Sequence, residues 1–91
     1  MTTVKGSYLK TINAEAGEIY AVDYKCAWRV DIANNTDGII SISTNNNFAS
    51  DGISSDYLEL LPGMVYNNMA VITTLYIKSD GKGKIMIVRC K

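Results

Sequence analysis

The sequence contains no histidine, and this absence removes several classes of chemistry. Histidine is the commonest general base, the usual partner of a serine or cysteine nucleophile, and the commonest metal ligand. The carboxylates lie mostly in turn sequences, where aspartate commonly bonds its own backbone. The sequence therefore predicts a protein that is not an enzyme and that uses no cofactor and no metal.

Net charge and long apolar runs are also lacking. Nine basic and nine acidic side chains cancel over the 91 residues, so no net field favours the phosphate backbone of a nucleic acid. No window reaches the roughly 18 continuous apolar residues of a membrane span, and the first residues lack the apolar run of a secretory signal. We expect no nucleic-acid partner, no membrane, and synthesis in a cytoplasm.

Cysteine is scarce, with only Cys26 and Cys90 in the chain. Without a secretory signal, such thiols usually stay reduced and pack as small hydrophobes. The run 26–32 alternates apolar and polar residues, which places Cys26 and Trp28 on the same face as Val30 and Ile32. This pattern predicts that both Cys26 and Trp28 lie in the core, with no disulfide between the cysteines.

Turn-forming residues are what the sequence has in quantity, and they separate short runs rich in Ile, Val, Tyr and Thr. Such runs are typical of strands, and no uninterrupted segment has the spacing of a helix. The segments predicted as strands are 8–12, 18–22, 26–32, 38–43, 55–60, 64–66, 75–79 and 84–90. Residues 1–91 should therefore form a single all-β domain, an antiparallel β-sandwich of about seven to eight short strands, either jelly-roll or immunoglobulin-like.

Four turn assignments carry testable detail. Asp37-Gly38 should join the strands 26–32 and 38–43 as a hairpin, and the glycines at 80–83 should do the same for 75–79 and 84–90. Asn34-Asn35-Thr36 matches a glycosylation acceptor, but in the absence of a secretory signal we interpret it only as part of a turn. Asn67-Asn68 is interpreted as another turn.

Exposed aromatic and amide side chains that lie close together are candidates for partner binding. The longest irregular stretch, 45–52, contains Asn46, Asn47 and Phe48, and long loops on a rigid sandwich often carry contacts. Tyr76 shares a face with Lys78, opposite the apolar face of its strand. These five residues are the predicted partner-binding positions.

Two segments resemble small virion proteins of tailed bacteriophages. The second half reads Tyr-Leu-Glu-Leu-Leu-Pro-Gly at 57–63 and Thr-Leu-Tyr-Ile-Lys-Ser-Asp-Gly-Lys-Gly-Lys-Ile at 74–85, similar to the strand, Pro-Gly turn and glycine-turned final strands of those proteins. The first half has Trp-Arg-Val-Asp-Ile-Ala-Asn-Asn at 28–35, which resembles their core strand. The resemblance implies a capsid decoration, head-fibre or tail accessory role for a β-sandwich made in the bacterial cytoplasm and located in the virion. It also implies binding to the major capsid protein or another virion protein, often as a homo-oligomer such as a trimer.

A second hypothesis is a carbohydrate-binding sandwich, in which exposed tyrosines stack on sugar rings and asparagines bond the hydroxyl groups. A third is a small inhibitor or anti-host protein. Having one tryptophan, itself predicted in the core, counts against the carbohydrate module.

Overall fold

The computed structural model describes residues 1–44 and 57–90, and in these the chain forms strands and turns without a helix. No helix that could cross a membrane occurs in this part of the chain. The strands are β1 (Thr2–Lys5), β2 (Leu9–Ala14), β3 (Ile19–Asp23), β4 (Trp28–Thr36), β5 (Ile40–Ser43), β6 (Leu58–Leu60), β7 (Val65–Val71), β8 (Thr74–Ser79) and β9 (Gly83–Cys90). The prediction of an all-β sandwich is confirmed.

Two sheets are built from these strands. The five-stranded sheet has the order β1-β3-β8-β5-β6, and the four-stranded sheet has the order β2-β9-β4-β7. From β2 onward the chain passes from one sheet to the other at nearly every connection, and only β5 and β6 are both consecutive and paired. This arrangement contains two Greek keys, in which β2, β9, β4 and β7 face β3, β8, β5 and β6. It is the topology of a jelly roll. The immunoglobulin-like alternative is thereby excluded.

Alternating side chains supply the core between the sheets. Ile85 and Ile87 of β9 point inward while their neighbours Met86 and Val88 point outward, as the period of two requires. The same alternation in the other strands gives one continuous cluster. Its fully buried apolar members are Val22, Val30, Ile32, Ile40, Ile42, Leu75, Ile77 and Ile85.

Strand β1 was not predicted, because its four residues carry only one partly buried apolar side chain, Val4. It pairs with β3 at the edge of the five-stranded sheet, and the pairing is parallel. Every other pair of strands is antiparallel among the described residues. Backbone pairing to a neighbour, and not the pattern of its own side chains, makes this segment a strand.

Both predicted hairpins are wrong. Strand β4 lies in the four-stranded sheet and β5 in the other, and β8 and β9 are separated in the same way. The two connections instead pack on each other: a Cβ added to Gly38 would lie 2.6 Å from the Gly81 nitrogen, and one added to Gly81 would lie 2.2 Å from the Gly38 nitrogen. Turn chemistry predicts that the chain reverses, but packing between the two turns decides that each returning strand joins the opposite sheet.

Asn34 lies inside β4 and is fully buried, so the interpretation of residues 34–36 as part of a turn is wrong. Its amide nitrogen Nδ2 donates to the carbonyl oxygens of Gly38 (2.9 Å) and Leu60 (2.8 Å). Its Oδ1 accepts from the Thr36 amide (2.9 Å) and hydroxyl (2.6 Å). Since Leu60 belongs to β6, this one side chain joins the two sheets and satisfies its own polar atoms.

We expect Asn34→Ala to lower the free energy of unfolding by about 3 kcal/mol, because buried carbonyl groups and the Thr36 amide would lose their partner. Asn35→Ala is the matched control: Asn35 is exposed and donates only to the Met86 sulfur at 3.3 Å, so its loss should change stability by less than about 0.5 kcal/mol. Urea unfolding of both variants measures the difference. Equal effects would show that the Asn34 amide does not join the sheets.

Candidate functional site

The predicted contact residues fall in two places. Asn46, Asn47 and Phe48 lie outside the described residues. Tyr76 and Lys78 project from the outer face of the five-stranded sheet, opposite Leu75 and Ile77, as predicted, and both are half-buried. Their role in binding stays a prediction.

The outer face of the four-stranded sheet carries exposed apolar side chains. Leu9 of β2 lies opposite Val88 of β9, and Met86 of β9 is followed across the sheet by Ala33 of β4 and Val65 of β7. Leu9 is 69% exposed and Val65 is 54% exposed, and Met86 and Val88 are also exposed. We call this surface, made by Leu9, Ala33, Val65, Met86 and Val88, the apolar face.

The apolar face arises from local sequence that departs from the usual alternation. A sheet with one wet side normally places polar residues outward, whereas β9 continues as Ile-Met-Ile-Val with apolar residues on both sides. Lys84 and Asn35 border the apolar face in one direction, and Asp31 borders it in the other. An apolar surface rimmed by polar groups is typical of a protein interface.

An open cleft of about 610 Å³ lies at one end of the sandwich, where β4 begins and β7 and β9 end. We call it the arginine cleft; it is lined by Tyr8, Ala27, Trp28, Arg29, Ala70, Val71, Ile72, Arg89 and Cys90. The antiparallel register of β4 and β9, with Arg29 opposite Cys90, brings the start of one strand to the end of the other.

Trp28 forms the aromatic wall of the arginine cleft. The Arg89 guanidinium carbon lies 4.0 Å from the centroid of the Trp28 ring, a cation–π contact. Just after the end of β3, the Tyr24 ring lies 4.8 Å from the Trp28 ring at an interplanar angle of 36°. The prediction that Trp28 lies in the core holds only in part, since Trp28 packs against the core but is half-buried, with Arg89 over its ring.

Asp31 organises the rim next to the cleft. Residues Asn67 and Asn68 form a bulge in β7 opposite Asp31, with Asn68 at a φ of 64°, so the predicted turn is an irregularity inside a strand. Asp31 Oδ1 accepts from the Asn68 amide (2.8 Å) and from the Cys90 thiol (3.0 Å). The thiol contact, followed by the amide contact, holds the pKa of Asp31 below its ordinary value, and the same thiol contact raises the pKa of Cys90.

The prediction that Cys26 packs in the core is wrong. Cys26 precedes β4, is exposed, and accepts a hydrogen bond from the Trp28 indole Nε1 at 2.9 Å. The alternation that pairs Cys26 with Trp28 ends where the strand ends, because the period of two applies only within a strand. Cys90 is half-buried, and both cysteines are free.

Alkylation should separate the two thiols. We expect Cys26 to react with iodoacetamide severalfold faster than Cys90 at mildly alkaline pH, because Cys90 is half-buried and its hydrogen bond to Asp31 disfavours the thiolate. Peptide mapping by mass spectrometry gives both rates. The variant Asp31→Asn should speed the reaction of Cys90 and leave that of Cys26 unchanged; an unchanged Cys90 rate would contradict the assigned hydrogen bond.

The Tyr24 hydroxyl is the one buried side-chain polar atom without a hydrogen-bond partner in the described part of the chain. Burial raises the pKa of Tyr24 to about 12, from 10.0. Tyr20 is equally buried, but its hydroxyl accepts from the Glu15 amide at 2.9 Å. The two tyrosines thus allow a direct comparison: the Tyr20 hydroxyl has a hydrogen-bond partner, and the Tyr24 hydroxyl has none among the described residues.

Tyr24→Phe should raise the free energy of unfolding by about 1 kcal/mol at neutral pH, whereas Tyr20→Phe should lower it by about as much. Because the folded-state pKa of Tyr24 exceeds the ordinary value, its ionisation opposes folding, and this loss of stability begins near pH 10 and grows up to about pH 12. Tyr24→Phe should remove that alkaline component. Urea unfolding at neutral and alkaline pH measures both effects, and a destabilised Tyr24→Phe would refute the unpartnered hydroxyl.

Sequence reasoning missed the arginine cleft. The sequence pattern gave no binding role to Arg29 or to Arg89. A signal was present: the two arginines of the chain stand near the start of one strand and near the end of another. Antiparallel pairing of those strands would bring them together, but the pairing itself was not predicted.

The described residues offer no group of three or more cysteine, aspartate or glutamate side chains that could hold a metal ion. Comparisons with protein-family models, with curated proteins and with solved structures give no significant match. The site is therefore interpreted from its own geometry.

Proposed function

We propose that this protein is a non-enzymatic structural subunit of a tailed-bacteriophage virion, a capsid decoration or head–tail accessory subunit that binds a repeating protein lattice through the apolar face. The observation that carries the proposal is the apolar face, where two adjacent rows, Leu9 with Val88 and Met86 with Ala33 and Val65, place apolar side chains on the outside of the four-stranded sheet. Exposed apolar surface of this kind favours burial against another protein.

The strand order supports the same proposal. Jelly rolls are common in viral capsid proteins, although lectin domains share the fold, so the fold by itself does not choose between them. The resemblance of segments 28–35, 57–63 and 74–85 to virion proteins of tailed bacteriophages favours the first. A subunit bound in many copies needs only modest affinity at each contact, since multiplicity supplies the rest.

Carbohydrate binding is the alternative; Tyr8 and Tyr57 offer exposed rings, but the Tyr76 and Trp28 rings are only half-exposed. The Tyr76 ring is half-buried, paired across the sheet with Ala21 on one side and Ser43 on the other. The Trp28 ring is contacted by Arg89 and Tyr24. Sugar stacking needs an open aromatic face.

Copy number in purified particles tests the proposal. We expect a fixed ratio to the major capsid protein in gradient-purified phage, measured by quantitative mass spectrometry, and a reduction of about tenfold or more for Met86→Glu, because a charge buried unpaired at an interface costs well over 1.4 kcal/mol. Met86 is exposed in the free subunit, so the substitution should leave folding intact.

Thr3→Glu is the matched control. Thr3 is exposed on the outer face of the five-stranded sheet, so the same charge there should leave incorporation unchanged. Absence of the protein from particles would overturn the virion role, and equal incorporation of the two variants would overturn the use of the apolar face. Retention on a sugar matrix, lost in Tyr76→Ala, would favour the carbohydrate module.

A further inference from the structure

Both arginines of the sequence line one cleft, although it occupies a small part of the surface. Of the seven lysines in the sequence, the six in the described part of the chain lie outside the lining of the cleft. Arginine differs from lysine in presenting a planar fork of donors that matches a carboxylate or phosphate. The arginine cleft therefore has a chemical character that the neutral chain as a whole lacks.

Neither guanidinium group is neutralised within residues 1–44 and 57–90. Arg29 makes one long hydrogen bond, from Nη1 to the Asn68 carbonyl oxygen at 3.4 Å. Arg89 contacts the Trp28 ring, and its side chain makes no hydrogen bond or ion pair to a described residue. Asp31, the acidic residue nearest in sequence to Arg29, is engaged with Asn68 and Cys90. Most of the donors in the cleft are thus free for a ligand.

The remaining walls are apolar. Ala70, Val71 and Ile72 form one side, and Ile72 is 75% exposed, the highest exposure among the large apolar side chains described. Among residues 1–44 and 57–90, no acidic side chain lines the cleft. A volume of about 610 Å³ is enough for two or three amino-acid side chains, within the usual range of ligand pockets.

We infer that the arginine cleft binds an acidic peptide segment of a partner protein, with aspartate or glutamate carboxylates bound by the guanidinium groups of Arg29 and Arg89 and a neighbouring apolar side chain placed against Ile72 and Trp28. The arginines favour a ligand with an anionic group, and the apolar walls favour a ligand that also carries an apolar group. A free inorganic anion would gain nothing from Val71 and Ile72. A nucleic acid would need a larger basic surface than two arginines on a chain of zero net charge provide.

The inference goes beyond the proposed function, since the arginine cleft and the apolar face share no residue. The apolar face would bind a partner by burying apolar surface area, whereas the arginine cleft would recognise a short peptide sequence. The single tryptophan of the chain lies in the cleft wall, so its fluorescence reports on occupancy directly.

The test begins with a random-peptide library selected on the immobilised full chain. We expect enrichment of peptides in which aspartate or glutamate adjoins an apolar residue, and saturable changes in Trp28 emission with the synthetic peptides. Replacing the acidic residue of an enriched peptide by its amide should weaken binding about tenfold or more, because the charge-assisted hydrogen bonds are lost.

Variants of the chain locate the interaction. Arg29→Gln and Arg89→Gln should each weaken binding about tenfold, and Arg89→Lys should recover only part of the loss, because lysine keeps the charge but not the fork. Lys82→Gln is the matched control, since Lys82 is exposed and lies outside the cleft. Arg29→Gln removes one long hydrogen bond of an exposed side chain, so it keeps the test valid even if Arg89→Gln disturbs Trp28.

Three results would overturn the inference. The first is no enrichment of acidic peptides, and the second is equal binding by the chain and its two arginine-to-glutamine variants. The third is displacement of the peptide by sodium phosphate at the peptide's own concentration, which would indicate a general anion site. Met86→Glu should bind the peptide normally. Failure at the apolar face and failure at the cleft are therefore distinguishable.

Discussion

The buried amide of Asn34 is the interaction on which the rest of the sandwich depends. It lies where the chain leaves the four-stranded sheet at the end of β4 and crosses to β5, and it bonds Gly38 after the crossing and Leu60 of β6 in the opposite sheet. A buried amide can be tolerated only if its donors and acceptor are satisfied. The need to satisfy the Asn34 amide holds the β4–β5 connection in place between the sheets. The close contact of Gly38 with Gly81 does the same for the adjacent β8–β9 connection.

The opposite end of the sandwich is closed differently. There Trp28 packs against Tyr24, which directly follows β3, and Arg89 lies over the Trp28 ring; the Tyr24 hydroxyl has no hydrogen-bond partner in the described part of the chain. One end of the sandwich is thus stabilised by the hydrogen bonds of the Asn34 amide. The other end is stabilised by packing of the Trp28 and Tyr24 rings, and the arginine cleft lies beside these rings. Binding sites are commonly found where a rigid scaffold leaves its ends open, and the two free arginines lie at the open end.

Two surfaces with different physics share the four-stranded sheet. The apolar face would gain from burial of area, which suits a lattice contact, whereas the arginine cleft would gain from directed charge-assisted bonds, which suit a specific segment. Asp31 stands between them: it borders the apolar face in line with Val88, and it holds Asn68 and Cys90 beside the cleft. Asp31 accepts its two hydrogen bonds from Asn68 and Cys90, and Arg29 makes no ion pair with a described residue.

The sequence by itself determined the all-β class and most of the strand positions, because turn residues and a period of two are local properties. It also placed Tyr76 and Lys78 on one outward face. Only the tertiary structure decided that successive strands join opposite sheets, that Asn34 is buried in a strand, that Cys26 is exposed, and that Arg29 and Arg89 line the same cleft. Each of these depends on which distant strands pair, and the free energy of that choice lies in packing and backbone bonding between segments far apart in the chain, which no local pattern contains.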